Sequence, residues 1–402
     1  MWALVAAGAR GAVWSGEDII TPAERLNETR TKEGRLADMM SARGLGAILL
    51  TKCRNHAWLL GGSDTRIVFA QAESPVWLLV MRDGRKFLVA SNMEAGRLMA
   101  EEDLGGLGWI ERRYPWFAGM GTPQDERRRV VDDIAGGAKL GCDGSLAGTE
   151  DVGSDLARIR FPLVPTEMRK MRWLGSRAAG AVAEVCREIR PGMRETEIAA
   201  LLAAKVAKLR ITPTVVLIGT DERLMSWRHL TPTEAKLKRY ALVNLCAEKW
   251  GLVVAVSRLV HFGPYPLDLE ARMKAVAAVD AAYLGAARPG ATFGEVFARG
   301  AEAYAAAGYP EEWRNHHQGG SIGYFEREAL IGPEGSEVVV EGMCLAFNPT
   351  LPGVKVEDTV LVGPHGPEIL TLVAGWPSRK VAAGGAIWER PDILVRSVPP
   401  AK

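Results

Sequence analysis

ALVNLCAEKWGLVVAVSRLVHFG, residues 241–263, decides how this chain reads. Two apolar runs, LVNLC and LVVAVSRLV, flank Lys249-Trp250-Gly251, and their β-branched content predicts a β-hairpin over Leu242–Val260 rather than a helix. Asn244 and Ala255 fall deep in the two runs, and Ser257-Arg258 closes the second.

Downstream of the hairpin, the helical stretch ARMKAVAAVDAAYLGAA, Arg288-Pro289-Gly290 and GEVFARGAEAYAAAG form a helix pair. Upstream, TEMRKMRWLGSRAAGAVAEVCREI, Arg190-Pro191-Gly192 and RETEIAALLAAKVAKL form another, with Thr166 the expected cap of its first helix. Two copies of helix, R-P-G, helix predict a duplicated C-terminal domain, although the match is too short to stand as a sequence repeat. Pro162 and Pro165 punctuate its start. Before them, a helix from Arg25 leads into the strand AILL, and VWLLVM and KFLVAS join through Arg82-Asp83-Gly84-Arg85 as a hairpin. Gly61-Gly62 marks a loop that carries Arg66. The expected domains are an N-terminal extension, 1–24, a smaller α/β domain, 25–162, and a larger C-terminal domain, 163–402.

The 402 residues suit two cores better than one. Hydrophobic residues at 48% and charged residues at 24% fit a soluble globular chain. With 50 basic against 48 acidic side chains, the composition carries no nucleic-acid or membrane footprint. The five cysteines are scattered and make no C-x-x-C pair, which argues against a disulfide framework or thiolate zinc site and for a cytoplasmic protein. The opening MWALVAAGARGAVW lacks the basic leader and long apolar run of a signal peptide.

The hairpin resembles the first metal-binding element of the creatinase/methionine-aminopeptidase, or pita-bread, family, in which D-x10-D is closed by a small residue and Arg. Asn244 and Ala255 stand where the two Asp belong. In NHHQGGSIGYFEREA, residues 315–329, His316, Gly319 and Gly323 match the family's H-x-x-G-H-x-x-G, but Gly320 takes the place of the ligand His. EGMCLAFNPTLPG resembles E-G-M-x-x-x-x-E-P with Asn348 at the fourth ligand, and VKVEDTVLV supplies Glu357 at the fifth. One carboxylate and neutral amides make a poor first-row dinuclear site, so no metal and no other cofactor is expected.

Within that family the pattern is closest to creatinase, which works without metal and also carries Asn and Ala in the hairpin. That resemblance spans roughly residues 25–370 and implies an α/β (α+β) protein: a C-terminal pita-bread domain behind an N-terminal creatinase-like α/β domain. It implies His229, in SWRHLTPTEAKLK, as acid/base and Arg327, in Tyr324-Phe325-Glu326-Arg327-Glu328-Ala329, as the anchor of a substrate carboxylate. Asn244 and Asn348 would hydrogen-bond the reacting amide, and Glu357 would orient water or His229. His316, His317, Ser257 and Tyr324 would line the pocket, and Arg66 would enter a partner subunit's pocket in a homodimer. Ser257 and Asn348 stand where creatinase carries two guanidinium-binding carboxylates, so a neutral amide or cyclic ureide bearing a carboxylate suits the site better than creatine. Each residue also has a structural reading: His229 as a hydrogen-bonded residue beside Trp227, Glu326-Arg327-Glu328 as a solvated ion strip, Cys246 as core. The expected activity is metal-independent C–N hydrolysis of a small carboxylate-bearing molecule. A lyase, dehydratase or isomerase, and a silent pseudo-peptidase that only binds, are the alternatives.

Overall fold

The hairpin forms in the computed structural model, which describes residues 19–119 and 125–398. Strands Tyr240–Lys249 and Leu252–Phe262 pair from Lys249↔Leu252 to Tyr240↔His261, leaving Trp250-Gly251 as a two-residue turn. Both turn residues have positive φ, 58° and 76°, the I′ geometry whose twist matches the flanking strands. A non-glycine residue there is strained by about 1 kcal/mol. Trp250 offsets this by burial against Trp173, ring centroids 5.3 Å apart.

Asn244 lies opposite Ser257 and Cys246 opposite Ala255. Residues directly opposite share a face, so all four point the same way. Strands Thr212–Thr220 and Leu394–Arg396 complete this four-stranded sheet. A second sheet of five strands carries Cys344–Phe347 and Asp358–Gly363 at its middle. The two are stitched where Ser257 N donates to Glu357 O (3.0 Å) and the Thr359 hydroxyl both accepts from Ala255 N (2.8 Å) and donates to Ala255 O (2.9 Å). The stitch delivers Glu357 to the face of Asn244.

Helices Pro165–Glu188 and Glu195–Ala207 form one pair, and Leu267–Ala286 and Phe293–Ala306 the other. The two R-P-G turns coincide in conformation: Gly192 and Gly290 both have φ +94°. Their amides donate to Leu237 O (2.8 Å) and Val339 O (2.9 Å), and bridges Arg194↔Lys236 and Thr292↔Val338 follow. Thr166 is not the cap. The helix starts at Pro165, whose fixed φ suits the first helical position, and Glu167 accepts from the amide of the true N-cap residue, Val164 (2.8 Å). Tyr283, Phe293, Phe297, Tyr304 and Phe347 fill the core between the helices and the second sheet. Arg258, of the closing pair, is buried on Asp358, which also takes Arg390 (2.9 and 2.6 Å).

The chain divides into two compact units, the first ending at Arg160 and the second beginning at Phe161. In the first, helix Pro22–Arg43 starts three residues earlier than expected because Thr21 and Glu24 make a reciprocal capping box. The predicted extension 1–24 otherwise lies, up to residue 18, outside the described residues. The sheet has six strands, with Ala47–Lys52 (AILLTK) between Glu73–Met81 and Leu140–Cys142. VWLLVM and KFLVAS pair as a hairpin, and Gly61 and Gly62 both turn with positive φ after a short helix, Cys53–Leu59, that was not anticipated. Among the described residues no helix is long and apolar enough to cross a membrane.

Candidate functional site

Glu357 is the hub of the second unit's polar centre. Its carboxylate meets Arg327 at Oε1 (3.0 Å); at Oε2 it meets Lys355 (2.9 Å) and accepts from Ser257 Oγ (2.8 Å) and Asn244 Nδ2 (2.5 Å). Burial alone would push this acid up, but Lys355 and Arg327 hold it down to about 2. Asn244 also donates to Ser257 Oγ (2.8 Å), so it is locked rather than poised over a substrate. The expected water-orienting role of Glu357 gives way to that of a saturated counter-ion. The expected two-pronged grip of Arg327 is partly spent on Glu357 and on Glu326 O (2.5 Å).

His229 reaches the same centre on a loop closed at both ends. The Asp221 carboxylate accepts the amides of Lys238, Arg239 and Tyr240 (2.7, 2.8 and 3.0 Å), and buried Glu195 accepts those of Thr220 and Thr233 (both 2.9 Å). His316 and His317 follow the short turn Glu312–Asn315. Gln318 fixes them by donating to His316 O (2.6 Å) while its Oε1 accepts from Tyr283 and Tyr304 (3.2 Å each). His229 Nε2 and His316 Nε2 are 3.2 Å apart, and the ring of His317 stacks on that of His316 at 4.5 Å. Burial, then the charge of Lys355, lowers His316 to about 2. Burial, then Arg327, lowers His317 to about 4. Burial and Lys355 also lower His229. All three imidazoles are neutral at pH 7.

Other expected residues stand elsewhere or differently. Tyr324 is buried with its hydroxyl on Glu167 Oε1 (2.5 Å), a packing contact at the start of the helix from Pro165. Ser257 is buried beneath Glu357. Arg66 belongs to the first unit, where it forks onto Asp64 (2.9 Å to each oxygen) and lies over Phe69. Cys246 is buried, its thiol pushed up to about 12 by burial. Asn348 Oδ1 is buried without a hydrogen-bond partner among the described residues. Lys355 was missed, though V-K-V-E-D places it two residues from Glu357 on a strand-like stretch, where alternate residues share a face. A small open cleft lined by Leu224, Trp227, Leu230, Leu242 and Leu259 meets this centre at Lys355. Trp227 is 62% exposed and does not fill it.

The five positions of the family's dinuclear site do not fit metal here. A Cβ built on Gly320 meets Ala329 O at 2.0 Å, so no histidine can be carried there without moving the strand. Ala255 has no donor, and the one carboxylate, Glu357, is neutralised by an ammonium and a guanidinium. Side-chain cations stand in for the charge that metal would bring.

Comparison with known proteins agrees with this architecture. Residues 169–364 match the model of metallopeptidase family M24. The agropine synthesis cyclase of Rhizobium rhizogenes is 26% identical over 398 residues, covering 87% of this chain and 97% of the relative. The Xaa-Pro dipeptidase of Lactobacillus helveticus is 28% identical over 321 residues, 72% of this chain and 84% of that one. Among solved structures, dipeptidase PepE from Mycobacterium ulcerans superposes with a TM-score of 0.74 at 19% identity, covering 93% of this chain and 99% of that one. The prolidase from Pyrococcus horikoshii OT3 superposes with 0.70 at 18%, covering 85% and 98%. The second unit thus matches metallopeptidase family M24 over residues 169–364, and the chain shares the pita-bread fold of the prolidase and dipeptidase structures.

Proposed function

We propose that this protein acts on a small carboxylate-bearing molecule by proton transfer through His229, without the dinuclear metal of its family, and that the reaction is C–N hydrolysis. The observation that carries this reading is that Arg327 and Lys355 share the single carboxylate of Glu357 beside three neutral imidazoles. Two cations on one anion leave a positive charge that an anionic substrate would offset, and the remaining N–H groups of Arg327 and Lys355 are its binding donors. Asn348 Oδ1, a buried acceptor without a partner among the described residues, suits the N–H of an amide or ureide. His229, exposed and neutral, would take a proton from water as the carbonyl is attacked and return it to the leaving nitrogen.

A second reading draws on the agropine synthesis cyclase, whose name denotes ring formation and which this chain matches over nearly its whole length. The same histidine would then deprotonate a nucleophile within the substrate instead of water. One experiment separates the two: incubation with N-acyl and N-carbamoyl amino acids and with hydroxylated amino-acid conjugates in ¹⁸O-water, followed by mass spectrometry. Hydrolysis adds one ¹⁸O to the product, ring closure by displacement adds none, and His229→Ala should suppress either by about 10²–10⁴. Tight binding of such a compound with no product in either form would sink both readings and leave a silent binding protein.

A further inference from the structure

His229, His316 and His317 occupy none of the five metal positions of the family, yet each offers a ring nitrogen and these three atoms lie within 4.8 Å of one another. The 3.2 Å between His229 Nε2 and His316 Nε2 is close to the edge, about 3.3 Å, of a tetrahedron with zinc–nitrogen bonds of about 2.05 Å. Ring centroids 4.5, 5.1 and 5.9 Å apart keep the three imidazoles around one point. His316 is 8% exposed, and its Nδ1, like that of His317, is buried without a hydrogen-bond partner among the described residues. Two Nε2 atoms that face each other must share one proton to avoid lone-pair repulsion, and a cation accepting both lone pairs does that task better.

We propose that His229, His316 and His317 bind one divalent transition-metal ion of the zinc or cobalt kind, with a fourth position open. Three neutral imidazoles suit such ions and give magnesium and calcium, which take oxygen ligands, no purchase. Lys355 and Arg327 oppose a second positive centre nearby, and Glu357 offsets only one of them. The fourth ligand is therefore an anion, hydroxide or a carboxylate. Coordination occupies the lone pair that proton transfer by His229 needs, so the ion is an inhibitor of the reaction proposed above. That consequence rests on the acid/base reading; the binding itself does not.

The test is a Co²⁺ titration of the full chain, followed by visible absorption in the absence of any substrate and then by displacement with Zn²⁺. One ion per chain with the intense bands of four- or five-coordinate cobalt is expected. His317→Ala and His229→Ala should each weaken binding by more than about 100-fold, beyond what loss of an outer-shell partner costs. His365→Ala, at an exposed histidine away from the cluster, should leave it unchanged. His229 is itself exposed, so its removal tests the site even if a substitution at buried His316 unfolds the chain. Absence of such bands, or bands that persist in both His229→Ala and His317→Ala, overturns the site. Binding of one ion with undiminished turnover would uphold the site and overturn His229 as the acid/base.

Discussion

Glu357 shows why one side chain cannot be judged from its own chemistry. A carboxylate at a ligand position reads as metal-binding or catalytic, but here both oxygens are taken by Arg327, Lys355, Ser257 and Asn244. Glu357→Gln should leave a guanidinium and an ammonium buried without their counter-charge, a loss of about 3–5 kcal/mol, read as a lower urea midpoint. Lys355→Met, which removes one of two cations, should be milder in stability but should weaken carboxylate binding; equal loss in both variants would contradict the counter-ion role. The acid sets a pH dependence as well. Held at about 2 in the folded chain against an ordinary 4.5, Glu357 binds its proton less readily folded than unfolded. Its contribution, about 3 kcal/mol, is complete above about pH 4.5 and is lost as pH falls toward 2. Urea unfolding from pH 6 to 3 should show this acid-side decline in the wild type and a shallower one in Glu357→Gln.

Among the elements, strand Gly319–Ser321 is the one that leaves no room for a histidine at position 320. It lies between Ala329–Leu330 and Cys344–Phe347, and Cβ atoms at Gly319 and Gly320 would meet Ala346 O and Ala329 O, each at 2.0 Å. A chain rebuilt with Asn244→Asp, Ala255→Asp, Gly320→His and Asn348→Glu should therefore not recover a dinuclear centre. Gly320→His alone should destabilise by about 1–3 kcal/mol or more through forced strand movement. Stoichiometric binding of two Mn²⁺ or Co²⁺ ions by the rebuilt chain, without loss of thermal stability, would show that the strand can yield.

For the whole molecule, the expectation concerns assembly. In the first unit Arg66 is followed by Ile67, Val68 and Phe69, which are 52, 49 and 70% exposed, an apolar tip uncommon on a free surface loop. A symmetric homodimer is expected, with this tip at the partner subunit and Arg66 near its pocket. Sedimentation velocity at micromolar concentration checks it: Phe69→Ser should shift the chain toward monomer. A monomeric wild type would remove Arg66 from any account of the site.

The sequence by itself determined the local elements, because apolar periodicity, an R-P-G stop and a two-residue turn act within a few residues of one another. The hairpin at residues 241–263, the paired helices and the AILL strand all follow from such short-range terms. The loss of the family's ligands was equally legible, since a residue's donor atoms are part of its identity. The tertiary structure alone decided what replaced them. Asn244 meets Glu357, and His229 meets His316, only because the two sheets are stitched through Ser257 and Thr359 and the loop after Thr220 is tied to Asp221 and Glu195. The charge state of these groups then follows from burial and from neighbours distant in the chain, which no local pattern of residues encodes.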